Sequence, residues 1–498
     1  MIFTPNAKQI PVNIVGSSSF GRHPIISDER TFNMFISDDW LLNFAGYHEA
    51  AYLLPVGEEG RGLFHSTRGN FMIAVIASNV YRINPGLGST FLYTISSSTG
   101  EVFMDENLSS QICIVDGTAT GYIYNYDPAI NAVAPINFTG TSQTFIPNYV
   151  SYHNTYFLFG NGIEDSSGAQ WYIYQSGFNP TDLSGPFDLA FVEVLTLQTK
   201  PDFAKAVVRI PGKGNNVLVM GSTVSEIWSN VAGLQIYQRY ASVNIDFGVA
   251  SVATIASMDD QIVWLGINEK SSPSIMVFNG SQAVGLSTDG IDYLLSFVQF
   301  PEQSTAMFYR EDGHVFYILT FFNPVDNFTI MYDFTTQKFF DITDWDFTYH
   351  PARQIAYFNN EIYFVSLKQG SIMHLSTDLT NISTGPGIEY EIPRVRKCDT
   401  FRLPGGDRFI VNQFAFTIQN GVDPDIDTTN QPRIDVTISK NGGETYGNAV
   451  SYYMHTTGNY FNQPRFNKLG QANQFTIQMR FWGFDAVVCT AGFLEVYQ

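Results

Sequence analysis

Cysteine is almost missing from this sequence: Cys113, Cys398 and Cys489 are odd in number, far apart and contain no CxxC pair. That excludes a disulfide framework and a zinc knuckle. Charge is scarce as well, at 14% of 498 residues, where an average soluble domain carries roughly 25%. Basic residues are the scarcer kind, 26 Lys+Arg against 46 Asp+Glu, for a formal net charge of −20. A broad basic face for gripping a polyphosphate is therefore excluded. The longest apolar runs, such as FMIAVIA at Phe71–Ala77, fall far short of the roughly 20 residues a membrane-spanning helix needs. The opening MIFTPNAKQIPVNIVG has no continuous apolar stretch and no small-residue cleavage site, so no secretory signal is expected and folding in a reducing cytoplasm is. Helical periodicity is nearly absent too.

What is present is aromatic: Phe, Tyr and Trp make up 15% of the chain. Nearly every apolar segment is short, β-branched or aromatic, and ends at a cluster of Gly, Asn, Asp or Ser, the pattern of strands and turns. One ending recurs seven times: VYRI at Val80–Ile83, YIYNY at Tyr122–Tyr126, YIYQS at Tyr172–Ser176, EIWSN at Glu226–Asn230, IMVFNG at Ile275–Gly280, TIMYDF at Thr329–Phe334 and SIMHLS at Ser371–Ser376. Each follows another apolar strand and a turn. Intervals of about 40 to 55 residues match four-stranded propeller blades. The expectation is an all-β protein with a β-propeller of about seven blades over residues 61–384.

At NISTGPGIEYEIPRVRKCDTFRLPGGDRF, Asn381–Phe409, glycine, proline and basic residues cluster, and a boundary is placed there. Beyond it the strands lengthen and alternate, as in FIVNQFAFTIQNG, RIDVTISKNGG and NQFTIQMRFWG. This predicts a separate C-terminal antiparallel β-sandwich over 385–498. Residues 1–60 are read as an N-terminal arm or closing strand.

Candidate chemistry is sparse. DPDIDTTN places Asp423, Asp425 and Asp427 like a calcium loop, but Thr428 stands at the sixth position and Ile434 at the twelfth, where Gly and Glu are needed. SKNGGETY at Ser439–Tyr446 resembles the Asp-box turn of sialidase-like propellers, where the box is structural. Asp341, Asp344 and Asp346 around Trp345 form the densest acidic-aromatic cluster; a glycosidase needs two carboxylates set across a sugar, and a solvated loop with a Trp anchor is the simpler reading. GKGNN at Gly212–Asn216 lacks the P-loop Lys-Ser/Thr and reads as a hairpin turn. The eight histidines, among them His153, His314 and His374, show no HExxH pairing, and no Ser sits in a GxSxG elbow. No catalytic residue, metal ligand or cofactor is expected. The one basic cluster, Arg394, Arg396, Lys397, Arg402 and Arg408, is the candidate assembly contact, an electrostatic dock for an acidic neighbour or for sparse DNA phosphates.

Three stretches resemble the packaged-DNA stabilisation or tail hub (nozzle) proteins of short-tailed bacteriophages. The first comprises ERTFNMF at Glu29–Phe35, WLLNFAGY at Trp40–Tyr47 and GRGLFHSTRGNFMIAVIASNVYRI at Gly60–Ile83. The second is TIMYDFTTQKFFDITDW at Thr329–Trp345, and the third runs from Ile438 to Trp482. Ala45–Gly46 stands where the family has Pro-Gly, Asn441 replaces an Asp and Phe466 a Trp. The resemblance implies a non-enzymatic virion protein of the tail, assembled in the host cytoplasm. It further implies a six-fold ring below the portal or adaptor, a needle or fibre protein beneath it, and genomic DNA passing through without specific binding. An acidic lumen is expected, since each Lys or Arg contact to phosphate adds affinity and friction. The rival reading is a carbohydrate-binding propeller or glycosidase with its polar cluster in the central funnel.

Overall fold

The computed structural model describes residues 7–21, 28–139, 145–163, 168–175, 187–385, 387–420, 432–454, 461–483 and 487–497. Among them, seven antiparallel sheets follow one another along the chain. Blade 1 comprises Gly60–Ser66, Phe71–Ile76, Asn79–Ile83 and Ser89–Thr94, and blade 2 begins at Phe103–Glu106. Blades 3, 4, 5 and 6 begin at Pro147–His153, Ala206–Arg209, Gly248–Val249 and Ser304–Glu311, and blade 7 at Ala352–Phe358. All seven recurrent sequence endings lie on the third strand of their blade.

Burial on both faces explains the apolar runs. Successive side chains of a strand point to opposite faces. In Phe71–Ile76, Phe71, Ile73 and Val75 pack on Ile112, Ile114, Tyr122 and Tyr124 of blade 2. Met72, Ala74 and Ile76 pack on Phe358, Tyr363 and Val365 of blade 7. Each fully buried side chain of this kind contributes about 1.5–3 kcal/mol. Similar clusters lie between every other pair of neighbouring blades, so among the described residues the inner strands of the blades are buried on both faces and have no solvated one to alternate for.

The first strands run side by side around an axis: Gly60–Ser66 lies beside Phe103–Glu106 on one side and Ala352–Phe358 on the other. Blade 7 draws three strands from residues 352–376 and its outer strand from Gly46–Val56, registered from Gln369↔Val56 to Ser376↔Gly46. The circle is thus closed by hydrogen bonds between the two ends of the array. The outer strands of blades 2 and 3 also pair with each other, in parallel, from Ile136↔Phe187 to Thr139↔Ala190.

After blade 7 the chain builds two sheets around one core, in which Phe409, Phe414, Phe416 and Leu494 meet Ile434, Val436, Ile477 and Phe481. This unit is not built from C-terminal residues alone. Ala7–Val12 pairs with Val487–Tyr497, and Trp40–Asn43 borders the same sheet. Arg30–Phe32 lies between Lys338–Ile342 of blade 6 and Arg394–Lys397, so one ten-stranded sheet runs from the propeller into the C-terminal unit. The early residues are short polar-apolar segments whose partners lie hundreds of positions away, which is why their role was not legible locally.

Candidate functional site

The basic cluster is split by the fold. Arg394 and Arg396 are fully buried. Arg396 donates to the carbonyl oxygens of Ile14 (2.8 Å), Asn13 (3.0 Å) and Ser17 (3.2 Å), to Thr31 Oγ1 (3.1 Å) and to Glu29 Oε2 (2.9 Å). Those acceptors match the five N–H donors of a guanidinium. Gly16 passes so close that an added Cβ would stand 2.0 Å from Arg396 Nη2. Arg394 donates to the carbonyls of Thr380 and Gly483, and Lys397 Nζ pairs with Asp28 at 2.6 Å. The expected dock is corrected accordingly: these three side chains fasten the N-terminal arm and the blade 7 exit to the C-terminal unit. Lys397 and Arg402, the latter beside Gln474, are half-buried, and of the five Arg408 alone is exposed.

The acids around Trp345 are also committed internally. Asp341 receives Ser18 Oγ and both Nε and Nη2 of Arg30. Asp344 receives Tyr47 Oη (2.7 Å), Lys368 Nζ (2.5 Å) and the Trp345 amide. Asp346 receives the Thr348 amide and hydroxyl, which hold its carboxyl below its usual range against the opposing effect of burial. Ser439 and Asn441 close the 439–446 turn on themselves, with Gly442 and Gly443 at positive φ. Gly212–Asn216 is the hairpin turn between Ala206–Arg209 and Asn216–Met220. Asp423, Asp425, Asp427 and Thr428 lie outside the described residues; Ile434 is a core residue. His153 contacts Tyr237 Oη and the Gly214 carbonyl, His314 contacts Asp333, and His374 contacts Glu361.

Sequence reasoning missed the polar group on the propeller axis. The first strands border an open axial cavity of about 420 Å³ lined by Phe64, Phe103, Tyr149, Met258, Met307 and Phe308. A second cavity of about 440 Å³ adjoins it, shares Glu101, Phe103 and Ala253 with it, and adds Glu59, Asp116, Glu302 and Arg353. Four carboxylates and one guanidinium line it, and among the four Glu59 and Glu101 are the ones within ion-pair distance of Arg353. Arg353 is buried; its Nη1 donates to the Gly60 carbonyl at 3.0 Å and pairs with Glu59, while its Nε, without a hydrogen-bond partner, stands 3.7 Å from Glu101 Oε2. Gln354 Nε2 donates to Glu101 Oε1 (2.7 Å) and to the Val102 carbonyl, and its Oε1 accepts the Leu63 amide. Burial pushes the Glu101 carboxyl up to about 7, against the opposing pull of Arg353, Gln354 and Thr305. Glu101 sits in the turn STGEV between blades, and no local pattern distinguishes it from any other turn acid.

A buried carboxyl near neutrality is what a general acid requires. Here, however, one oxygen is occupied by Gln354 and the nearest carboxylate, Glu59, is held by the same guanidinium. The arrangement ties blade 7 to the entry of blade 1 and to the head of blade 2.

Solved structures with similar architecture include the WD40 β-propeller domain of Doa1 at 10% identity, covering 67% of this chain and 97% of that one, with a TM-score of 0.40. A streptogramin B lyase matches at 8% identity over 67% and 98% with a TM-score of 0.42. A catalytically inactive virginiamycin B lyase from Staphylococcus aureus with quinupristin matches at 10% identity over 67% and 99%, with a TM-score of 0.43. At these values none of them bears on chemistry. No curated protein matches the sequence. The phage-stabilisation family, described as bacteriophage P22 Gp10, beta-propeller, matches residues 27–380. That span runs from the strand bridging propeller and C-terminal unit to the end of blade 7, well over half of the molecule, and the chain is a member of this phage β-propeller family.

Proposed function

We propose that the chain is a structural component of a short phage tail, that its copies form a ring beneath the portal, and that this ring conducts and helps retain the packaged genome. The observation that carries this reading is the family match across residues 27–380. The closed array supports it, because a circle locked by the Gly46–Val56 strand suits a wall that must resist load. The pockets bordered by the first strands, of about 420 and 440 Å³, are too small to hold a duplex whose major groove alone is about 12 Å wide. A conduit would therefore run between copies. The net charge of −20 favours a lumen that repels phosphates and lets DNA slide. Electron microscopy of isolated virion tails tests this: the chain should trace as a ring below the portal, with an inner wall that is not strongly positive. A chain absent from the tail, or a basic inner wall, rejects the corresponding part.

A second reading rests on Glu101. A cavity of small-molecule size bordered by a carboxyl near neutrality is where a propeller glycosidase or sugar-binding protein would hold its ligand. Calorimetric titration with oligosaccharides, and assay for their cleavage, would reveal activity abolished by Glu101→Gln if that reading holds.

A further inference from the structure

The strand that closes the propeller carries a pair of histidines at its seam. His48 on Gly46–Val56 stands directly across from His374 on Gln369–Ser376, and their rings meet edge to face with centroids 4.8 Å apart. Both are half-buried. Glu361 Oε2 lies 2.6 Å from His374 Nε2, so a proton on His374 finds a carboxylate. Among the described residues His48 forms no ion pair of its own. Burial, and then His374, hold the His48 imidazole below its usual range against the opposing pull of Glu361. The row of the sheet that the two rings occupy continues with Tyr363 on one side and with Ser383 and then Glu389 on the other. The remaining carboxylates nearby are engaged: Glu389 accepts Asn381 Nδ2, Glu49 accepts Ser371 Oγ, and Glu311 of blade 6 accepts Ser376 Oγ. Blade 1, packed on this sheet, brings His65 against Phe358.

The seam is also the least regular pairing of its blade. Its register shifts twice, between Gln369 and Ser371 and between Ile372 and Met373, whereas Glu361–Ser366 pairs with Gln369–Ser376 without a shift. On its other edge the closing strand holds Asn381–Gly385, with Ile382↔Tyr47 and Ser383↔His48. His48 therefore sits where blade 7, the closing strand and the exit toward the C-terminal unit meet. Histidine is the side chain whose charge changes between pH 5 and 8. One proton at this seam is offset by Glu361; a second sets like charges directly across from each other, which destabilises a strand pair. We propose that the closing strand is an acid-sensitive latch: protons on both His48 and His374 loosen Gly46–Val56 from Gln369–Ser376 and open the circle at the join between its two ends. The latch depends on the closed circle alone, whatever assembly the copies form.

Native-state hydrogen exchange of the full-length chain, corrected for the intrinsic effect of pH, tests it. Between pH 7.5 and pH 5 the amides of residues 46–56 and 369–376 should open about tenfold more, the factor that one unit of pKa difference between closed and open states gives. Those of Asn216–Met220, in blade 4, should not follow. His48→Gln, neutral at both pH values, should abolish the acid change at the seam. Glu361→Gln should deepen it, because the one carboxylate beside the pair is gone. The ratio between the two pH values is compared within each variant, so a variant less stable throughout still reports. A seam that opens no more at pH 5 than at pH 7.5 overturns the latch. So does an acid change that His48→Gln leaves intact, one that Asn216–Met220 shares in full, or one that Glu361→Gln does not deepen.

Discussion

Two buried guanidinium groups in this molecule stand in opposite situations. Arg396 has every donor matched by an acceptor from the N-terminal arm or from Thr31, and Arg353 on the propeller axis leaves its Nε without a hydrogen bond beside a carboxyl pushed up to about 7. The difference shows when a buried charge acts as a fastener and when it remains responsive. Satisfied, it is expensive to remove; partly satisfied, it leaves a neighbour that titrates near neutrality.

The largest effect should come from emptying the satisfied site. Arg396→Ala strands the carbonyls of Asn13, Ile14 and Ser17 and the Glu29 carboxylate, at a cost of about 3–5 kcal/mol. Denaturant unfolding should show it, and limited proteolysis should release the N-terminal arm. Arg396→Lys should not recover it, because an ammonium cannot span a planar fork of acceptors.

Next in size is the responsive site. The folded pKa of Glu101 lies above that of an exposed glutamate, so its burial costs nothing at low pH. The cost grows as pH rises from the ordinary carboxylate range through about 7 and is complete above that. Glu101→Gln should leave stability near pH 4 almost unchanged and raise it at pH 8 by up to about 3 kcal/mol, as a shift of one unit corresponds to about 1.4 kcal/mol. Melting temperatures of parent and variant across pH 4–9 check the sign; parallel curves would place Glu101 in the same class as the saturated junction.

Gly16→Ala sharpens the contrast from the other side. Its new methyl group would collide with Arg396 Nη2, and a forced shift of a packed group costs about 1–3 kcal/mol. The same substitution at Gly86, where a Cβ meets nothing within 4 Å, should cost less. Smallest of all is Arg408→Ser. Losing an exposed cation away from the core should change the free energy of unfolding by less than about 0.5 kcal/mol, so any loss of assembly in that variant reports an intermolecular contact.

Much of this fold could be read without coordinates because the propeller repeats itself. YIYNY, TIMYDF and SIMHLS each occupy a third strand because a sheet packed on both faces must present large apolar groups to both neighbours, and this demand recurs every blade. The axial group was not legible, because Glu101 lies between blades 1 and 2 while Arg353 and Gln354 lie on blade 7, and they meet only where the first strands converge. The basic run misled for a related reason. Charge in sequence reads as surface, and only the arrival of Asn13–Ser17 and Glu29 from the far end of the chain turns Arg396 inward.

By itself the sequence determined an all-β chain of stacked aromatic blades, a family resemblance and an acidic character, because periodicity, side-chain size and charge are properties of residues in order. Tertiary structure alone decided that the early strands close blade 7 and complete the C-terminal unit, that Arg396 is a rivet, and that Glu101 is poised near neutrality. Those outcomes depend on which distant groups share a low-dielectric space and how many hydrogen bonds they find there, and neither quantity is written in any local stretch of residues.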